Sequence, residues 1–142
     1  MLSEGAGAIY LRCESAPTAL VEMSAITDSH LFSDYSSRIA AAQKMKSDLP
    51  AGGSEDLLCD GLQNISRLDQ PEINSWRDWP GIRLSPKMIL GEGLMAASAW
   101  QCVAAVDTLL QHGHRSAQVS VVGCNQQAIG AQFVNVNFLR AD

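Results

Sequence analysis

Long apolar runs, basic clusters and a secretory leader pattern are all missing from this sequence of 142 residues. The longest apolar stretch, 94–110, is interrupted by polar residues, so no segment offers the roughly 20 apolar residues of a membrane helix. The first residues lack the basic region and continuous apolar core of a signal peptide. No basic stripe exists to neutralise phosphates, and the net charge of -5 argues against nucleic-acid binding. We therefore expect a cytoplasmic protein that contacts neither membrane nor nucleic acid.

Closely spaced cysteine pairs are also missing. The four cysteines are scattered, at Cys13, Cys59, Cys102 and Cys124. Without C-x-x-C spacing they match neither a zinc site nor a disulfide framework. We interpret them as small buried apolar residues in a reducing compartment, and we expect neither a metal nor a cofactor.

Charge is scarce, and this scarcity suggests a partner. Charged residues make up 18% of the chain and apolar residues 46%, whereas about 25% charged is usual. A surface with so few charges leaves apolar patches, which commonly mark protein interfaces. The length fits one domain of ordinary size, 1–142.

The hydrophobic pattern predicts an α/β domain with a mixed sheet, in which strands and helices alternate. Predicted strands cover 6–13, 18–26, 56–59, 82–90, 117–122 and 128–136, the fourth broken by Pro86 and therefore at an edge or starting at Lys87. Predicted helices cover 37–49, capped by Asp34 or Ser36, a short stretch with Pro71 in its first turn, and 93–111. The last is Ala-rich and apolar nearly all round, so we expect it to be buried.

Segment 87–97 reads K-M-I-L-G-E-G-L-M-A-A, which resembles the K-S-x-x-G-H-x-x-x-A-A segment of β-ketoacyl synthases. Four further segments resemble motifs of that family in the same order. They are S-E-G-A-G-A-I-Y-L at 3–11, L-L-C-D-G-L-Q-N at 57–64, D-Q-P-E at 69–72 and S-V-V-G-C-N-Q at 120–126. The resemblance implies half of a thiolase-like fold, layered α-β-α, corresponding to the C-terminal part of a synthase.

The resemblance also implies an incomplete active site. Lys87 stands at the family's lysine position, while Asp60 and Glu92 stand where the family has its two histidines. No cysteine lies in a G-x-C-x-G elbow, so the Cys-His-His set is lacking. Two carboxylates would repel a thiolate instead of activating it. We expect no condensation by this chain.

Each candidate residue has two interpretations. Lys87 either keeps the family's buried ion pair with Asp69 and Glu72 or is an exposed lysine. Asp60 and Glu92 either form a carboxylate pair for acid–base chemistry, as in a hydrolase, or are solvated. The loop at the family's gating position is formed by Gly123, Cys124 and Asn125. Cys124 either lines a pocket or simply packs.

The resemblance implies two functions in fatty acid or polyketide biosynthesis. The first is a ketosynthase-like pseudoenzyme that acts as a chain-length-factor-like subunit. The second is the C-terminal segment of an active acyltransferase whose nucleophilic cysteine lies elsewhere. Both imply a homo- or hetero-oligomer with a ketosynthase, and an acyl carrier protein as a further partner. We expect Trp100, on the apolar helix, to lie near the contact.

Overall fold

The computed structural model describes residues 2, 5–13, 19–123 and 125–139, apart from the side chains of Met95 and Leu139. The strands are β1 Val21–Ile26, β2 His30–Leu31, β3 Leu57–Cys59, β4 Ile82–Leu84, β5 Ser116–Val122 and β6 Gln127–Asn135. The helices are α1 Tyr35–Asp48, α2 Ser66–Ser75, α3 Pro86–Leu90, α4 Ala97–His112 and α5 Val136–Leu139, with a 3₁₀ turn Leu94–Ala96 before α4. No helix in these ranges has the length and apolar character needed to cross a membrane.

The six strands form one mixed sheet in the order β1-β6-β5-β3-β4, with β2 beside β1 on the same strand β6. The pairs β3–β4 and β3–β5 are parallel, whereas β5–β6, β1–β6 and β2–β6 are antiparallel. Strand β4 lies at one edge, but it ends at Leu84, before the Pro86 from which an edge strand was predicted. The prediction of an α/β domain with a mixed sheet is confirmed.

Two apolar cores lie on opposite faces of the sheet. On one face, Ala42 and Met45 of α1 and Trp76 at the end of α2 pack against Leu58 and Val122. On the other face, the α4 residues Ala105 and Leu109 pack against the strand residues Leu57, Cys59, Ala117, Val119 and Phe133. Successive side chains of a strand point to opposite faces, so Leu57 and Leu58 separate into the two cores. The molecule therefore has three layers, with helices on both sides of the sheet.

Local signals explain where helix α1 begins and where helix α4 ends. Asp34 caps α1: its carboxylate accepts the Ser37 N–H at 2.8 Å, and the Ser37 hydroxyl accepts the Asp34 N–H at 3.0 Å. Gly113 ends α4 with a φ of 66°, in the left-handed region that glycine adopts at little cost. Both ends were predicted from the sequence.

The prediction that the Ala-rich helix is buried nearly all round is wrong. Helix α4 buries one face, formed by Ala97, Gln101, Ala105 and Leu109, while Val103 and Leu110 are 37% and 40% exposed.

Three other predicted elements are wrong in their details. Segment 6–13 forms no strand; it crosses α4, and Gly7 lies so close that a Cβ there would be 3.1 Å from the backbone of Ala99. Pro71 lies inside α2 and not in its first turn. Lys87 lies on α3, which begins at Pro86, and not on a strand. Pro86 at the first helical position suits a helix start because its missing N–H has no partner there.

The connection from β3 to β4 and the connection from β4 to β5 cross the sheet on opposite faces. Helix α2, which connects β3 to β4, packs with α1 on one face, whereas α4, which precedes β5, packs on the other. In open α/β sheets, such a switch opens a crevice at the carboxyl ends of the strands, where ligands commonly bind. Asp60 follows β3 and Ser85 follows β4, so both residues lie at the carboxyl ends of these strands.

Candidate functional site

Asp60 lies at the switch point, at the end of β3, and is 1% exposed. One carboxylate oxygen accepts the Leu62 N–H at 3.3 Å, and the other has no hydrogen-bond partner among the described residues. Burial raises the pKa of Asp60, because a charged carboxylate loses its hydration there.

Glu72, on α2, reaches the same point and forms the centre of a buried hydrogen-bond network. Its carboxylate accepts the Gly61 N–H at 3.0 Å and the Ser120 hydroxyl. The Trp76 indole donates to that hydroxyl at 3.0 Å, and the Gln101 amide donates to the Ser120 carbonyl at 2.7 Å. Burial raises the pKa of Glu72 to about 7, and the negative charge of Asp60 acts in the same direction.

Asp69 shapes the loop before α2. Its two carboxylate oxygens accept the Gln63 N–H at 3.2 Å and the Ile65 N–H at 2.9 Å. These bonds fix the chain so that α2 starts well before Pro71. Both carboxylate oxygens of Asp69 therefore accept hydrogen bonds from the backbone.

Lys87 pairs with Glu92 and not with the partners expected from the sequence. The ammonium lies 3.0 Å from the Glu92 carboxylate, and the two side chains are 4% and 11% exposed. Glu92 also accepts the Leu94 N–H at 2.7 Å. Lys87 acts on Glu72 only through its charge, which lowers the pKa of that carboxyl less than burial raises it.

A small cavity of about 70 Å³ adjoins this ion pair. Lys87, Glu92, Ser98, Gly123 and Asn125 contribute to its lining, while Cys124 of the same loop lies outside the described residues. Small-molecule sites usually measure about 300–1,000 Å³, and one water takes about 30 Å³ of liquid. The cavity is therefore much smaller than a usual small-molecule site.

The site brings together a different carboxyl pair from the one considered for acid–base chemistry. Asp60 raises the pKa of Glu72, whereas Glu92 is paired with the ammonium of Lys87. Both Asp60 and Glu72 are buried, and neither lines the 70 Å³ cavity. The geometry therefore supports a structural polar cluster more than a hydrolytic centre.

Sequence reasoning missed Ser120, Gln101 and Trp76 as members of this cluster. A signal was present in β5, where Ser116, Gln118 and Ser120 recur at a spacing of two in an otherwise apolar strand. All three are buried and face the layer of α1 and α2. A polar row on a buried strand face requires partners from the helices above it.

The described cysteines differ in their exposure. Cys59 is buried, and its thiol donates to the Gln101 carbonyl at 3.3 Å. Burial raises the pKa of Cys59, and the charge of Asp60 raises it further. Burial also raises the pKa of the half-buried Cys102, whereas Cys13 is exposed. Cys59 therefore lacks the thiolate that a nucleophile requires.

We expect iodoacetamide to alkylate Cys13 more than about tenfold faster than Cys59 in the folded protein at mildly alkaline pH, because the thiolate is the reactive form. Peptide mass spectrometry over time resolves each cysteine. The urea-unfolded protein is the control, in which the two rates should converge. Equal rates in the folded protein would show that Cys59 is accessible and reactive.

Comparisons with known proteins give a fold and no family. No family model matches the chain, and no curated protein matches it. A solved structure described as a type II polyketide synthase (PKS) acyl-carrier protein in complex with its ketosynthase, bound to the hexaketide, matches with a TM-score of 0.65. The match is 8% identical and covers 81% of this chain and 33% of that chain. At this identity the likeness shows the fold alone.

The predicted membership in the β-ketoacyl synthase family is therefore corrected. No family model and no curated protein supports this membership. The structural neighbour, described as a PKS acyl-carrier protein in complex with its ketosynthase, is only 8% identical to this chain, and so low an identity does not show a family. The chain-length-factor-like role falls with it, as does the alternative of a segment of an active synthase. Short motifs in the right order produced the resemblance, but the structure uses Asp69, Lys87 and Glu92 for local contacts.

Proposed function

We propose that this chain is a protein-binding component that docks on a larger enzyme through the surface of α3. One observation carries the proposal: α3 buries a charged residue and exposes apolar ones. Pro86 and Lys87 are buried, whereas Met88 and Ile89 are 57% and 78% exposed. Leu94, just after α3, is 54% exposed. Met88, Ile89 and Leu94 are called the α3 surface below.

The Lys87–Glu92 ion pair holds α3 in this orientation. Rolling the helix to bury Ile89 would pull Lys87 away from the carboxylate 3.0 Å distant. Breaking a buried pair costs several kcal/mol because a charge is left without its partner. The apolar side chains are therefore kept at the surface by the buried pair beneath them.

Covering the α3 surface would be strongly favourable. Burial of one Leu, Ile or Met side chain contributes about 1.5–3 kcal/mol relative to full exposure. Apolar side chains held outward in this way mark protein interfaces more often than scattered single residues do. The 70 Å³ cavity is much smaller than a usual small-molecule site, so it gives less support to the binding of a small molecule.

The class of partner is drawn from the structural neighbour. That structure is described as an acyl-carrier protein in complex with its ketosynthase, and a ketosynthase of polyketide biosynthesis is therefore the partner that we propose. In the same proposal the chain is one domain, 1–142, with the layered half of a thiolase-like fold. The single sheet, with helices on both faces, supports this reading of the fold.

We expect the chain to form a complex with a type II polyketide ketosynthase that sedimentation velocity detects at micromolar concentration. Ile89→Glu should weaken the complex at least about tenfold, equivalent to about 1.4 kcal/mol, because a carboxylate would be buried in the contact. Leu31→Glu is the matched control, since Leu31 is 74% exposed on β2, outside the α3 surface.

Two outcomes would contradict the proposal. Equal effects of Ile89→Glu and Leu31→Glu would show that α3 is not the contact. A monomer that binds no ketosynthase would remove the partner altogether. Self-association that Ile89→Glu abolishes, without binding to the ketosynthase, would assign the α3 surface to a second copy of this chain and refute the proposed partner.

The expected position of Trp100 near the contact stays a prediction. Its ring lies against the backbone of Gly5 and Gly93, where an added Cβ would come within 2.5 Å and 2.3 Å of the ring. The chain itself therefore covers much of this side chain.

A further inference from the structure

A groove of about 640 Å³ lies between the ends of α1 and α2, away from the polar cluster of Asp60 and Glu72. One side is formed by the end of α1 and the loop that follows it, and the other by the end of α2 and the turn that follows. Its volume falls within the range of about 300–1,000 Å³ that is usual for small-molecule sites. The predictions from sequence did not include this groove.

Two tryptophans form its aromatic part. Trp76 is buried, Trp79 is half-buried, and their rings meet edge to face with centroids 5.5 Å apart. The Trp76 indole N–H donates to the Ser120 hydroxyl, and the Trp79 indole N–H donates to the Ile82 carbonyl at 3.2 Å. Both indole donors are therefore engaged within the protein, so the rings offer a ligand only their carbon surfaces.

The rim of the groove is polar. Gln43, Asn74 and Arg77 are exposed along it, and Lys46 pairs with Asp78 across the groove. Amide and guanidinium groups are planar and carry several donors or acceptors. Such a rim is poorly suited to an acyl chain but well suited to a ligand with many hydroxyl groups.

The floor of the groove contains an acceptor that is not used. Gln118, on β5, is fully buried, and its amide nitrogen donates to the Pro50 carbonyl. Its amide oxygen has no hydrogen-bond partner among the described residues. A buried acceptor without a partner is unfavourable by about 1–3 kcal/mol, and an O–H group entering the groove floor would relieve it.

We propose that this groove binds a short oligosaccharide. The C–H face of a pyranose ring packs on the exposed surface of Trp79 and needs no donor from the indole. The ring hydroxyls pair with the planar side chains of Asn74, Arg77 and Gln43, and one hydroxyl donates to Gln118. A proline-rich peptide is the less suitable occupant, because proline has no N–H group to donate to the unpartnered amide oxygen of Gln118.

Tryptophan fluorescence tests the proposal with maltotriose, cellotriose and triacetylchitotriose at millimolar concentration. Trp100→Phe serves as the background, so that the signal comes from Trp76 and Trp79. We expect saturable quenching or a blue shift with at least one trisaccharide. The double variant Asn74→Ala/Arg77→Ala should weaken binding at least tenfold, whereas the control Arg67→Ala, at an exposed arginine of α2 outside the groove, should leave it unchanged.

Three results would overturn the proposal. No fluorescence change and no heat of binding with any of the three saccharides would exclude this ligand class. Saccharide binding that survives Asn74→Ala/Arg77→Ala would place the site elsewhere. Binding of decaproline alone, with loss of affinity in the same double variant, would show that the groove recognises a peptide. None of these results depends on whether the α3 surface binds a ketosynthase.

Discussion

Replacing Glu92 by Gln is expected to lower the free energy of unfolding by about 3–5 kcal/mol, the range for breaking a buried ion pair by removing one partner. Gln keeps the size of the side chain and can still accept the Leu94 N–H. It leaves the ammonium of Lys87, 4% exposed, without the carboxylate now 3.0 Å away. Urea denaturation followed by circular dichroism measures the change.

The double variant Lys87→Met/Glu92→Gln tests whether the loss of stability in Glu92→Gln comes from the unpaired charge of Lys87. With both charges removed, the double variant should be more stable than Glu92→Gln alone, because no buried charge is left unpaired. Lys44→Met is the matched control, since Lys44 pairs with Asp48 at the surface and is 60% exposed. The single variant Lys87→Met completes the cycle. If the effects of Lys87→Met and Glu92→Gln simply add in the double variant, the ion pair is not coupled and Lys87 is in contact with solvent.

Replacing Glu72 by Gln is expected to make stability less dependent on pH. Burial raises the pKa of Glu72 from 4.5 to about 7, so the folded protein holds this proton more tightly than the unfolded chain does. The contribution is complete below the unfolded pKa and is lost as pH rises through the folded pKa. At 1.36 kcal/mol for each unit, the wild-type protein loses about 3 kcal/mol of stability through this group between those limits.

Gln carries no titratable proton, so the variant should lack this loss. The difference in unfolding free energy between wild type and Glu72→Gln should therefore shift by about 3 kcal/mol, in favour of the variant, from about pH 4 to about pH 8. Carboxyls that do not interact with Glu72 titrate alike in both proteins and cancel in the difference. Glu55→Gln, at an exposed position, is the control. A constant difference across this pH range would show that Glu72 ionises as an ordinary surface carboxyl.

The sequence predicted those elements whose signals are local. The Asp34 cap and Gly113 bound α1 and α4, and alternating small apolar residues marked β5 and β6. Segment 6–13 has equally strand-like composition, yet a strand also requires a neighbouring strand. In the structure this segment lies against α4, where its glycines allow close approach. Its conformation is thus decided by tertiary contact and not by propensity.

The candidate site was predictable only in part. Lys87, Glu72 and Asp60 were named from the sequence, and all three are buried near one another at the carboxyl ends of the strands. The partner of Lys87 was predicted wrongly as Asp69 and Glu72, whereas Glu92 reaches Lys87 through the turn that follows the short helix α3. The raised pKa of Glu72 depends on the burial of its side chain between α2 and the sheet, and no local sequence pattern predicts that burial.

The position of β6 has a consequence for how the protein is made. Strand β6 lies between β1 and β5, and β1 pairs with it from Val21 opposite Asn135 to Ile26 opposite Ala131. During synthesis, β1 and β2 therefore emerge from the ribosome long before the strand that pairs with both of them. Pairing between such distant segments is slow, and unpaired strands in the meantime are prone to aggregate. A nascent chain of this protein should depend on chaperones until β6 has been translated.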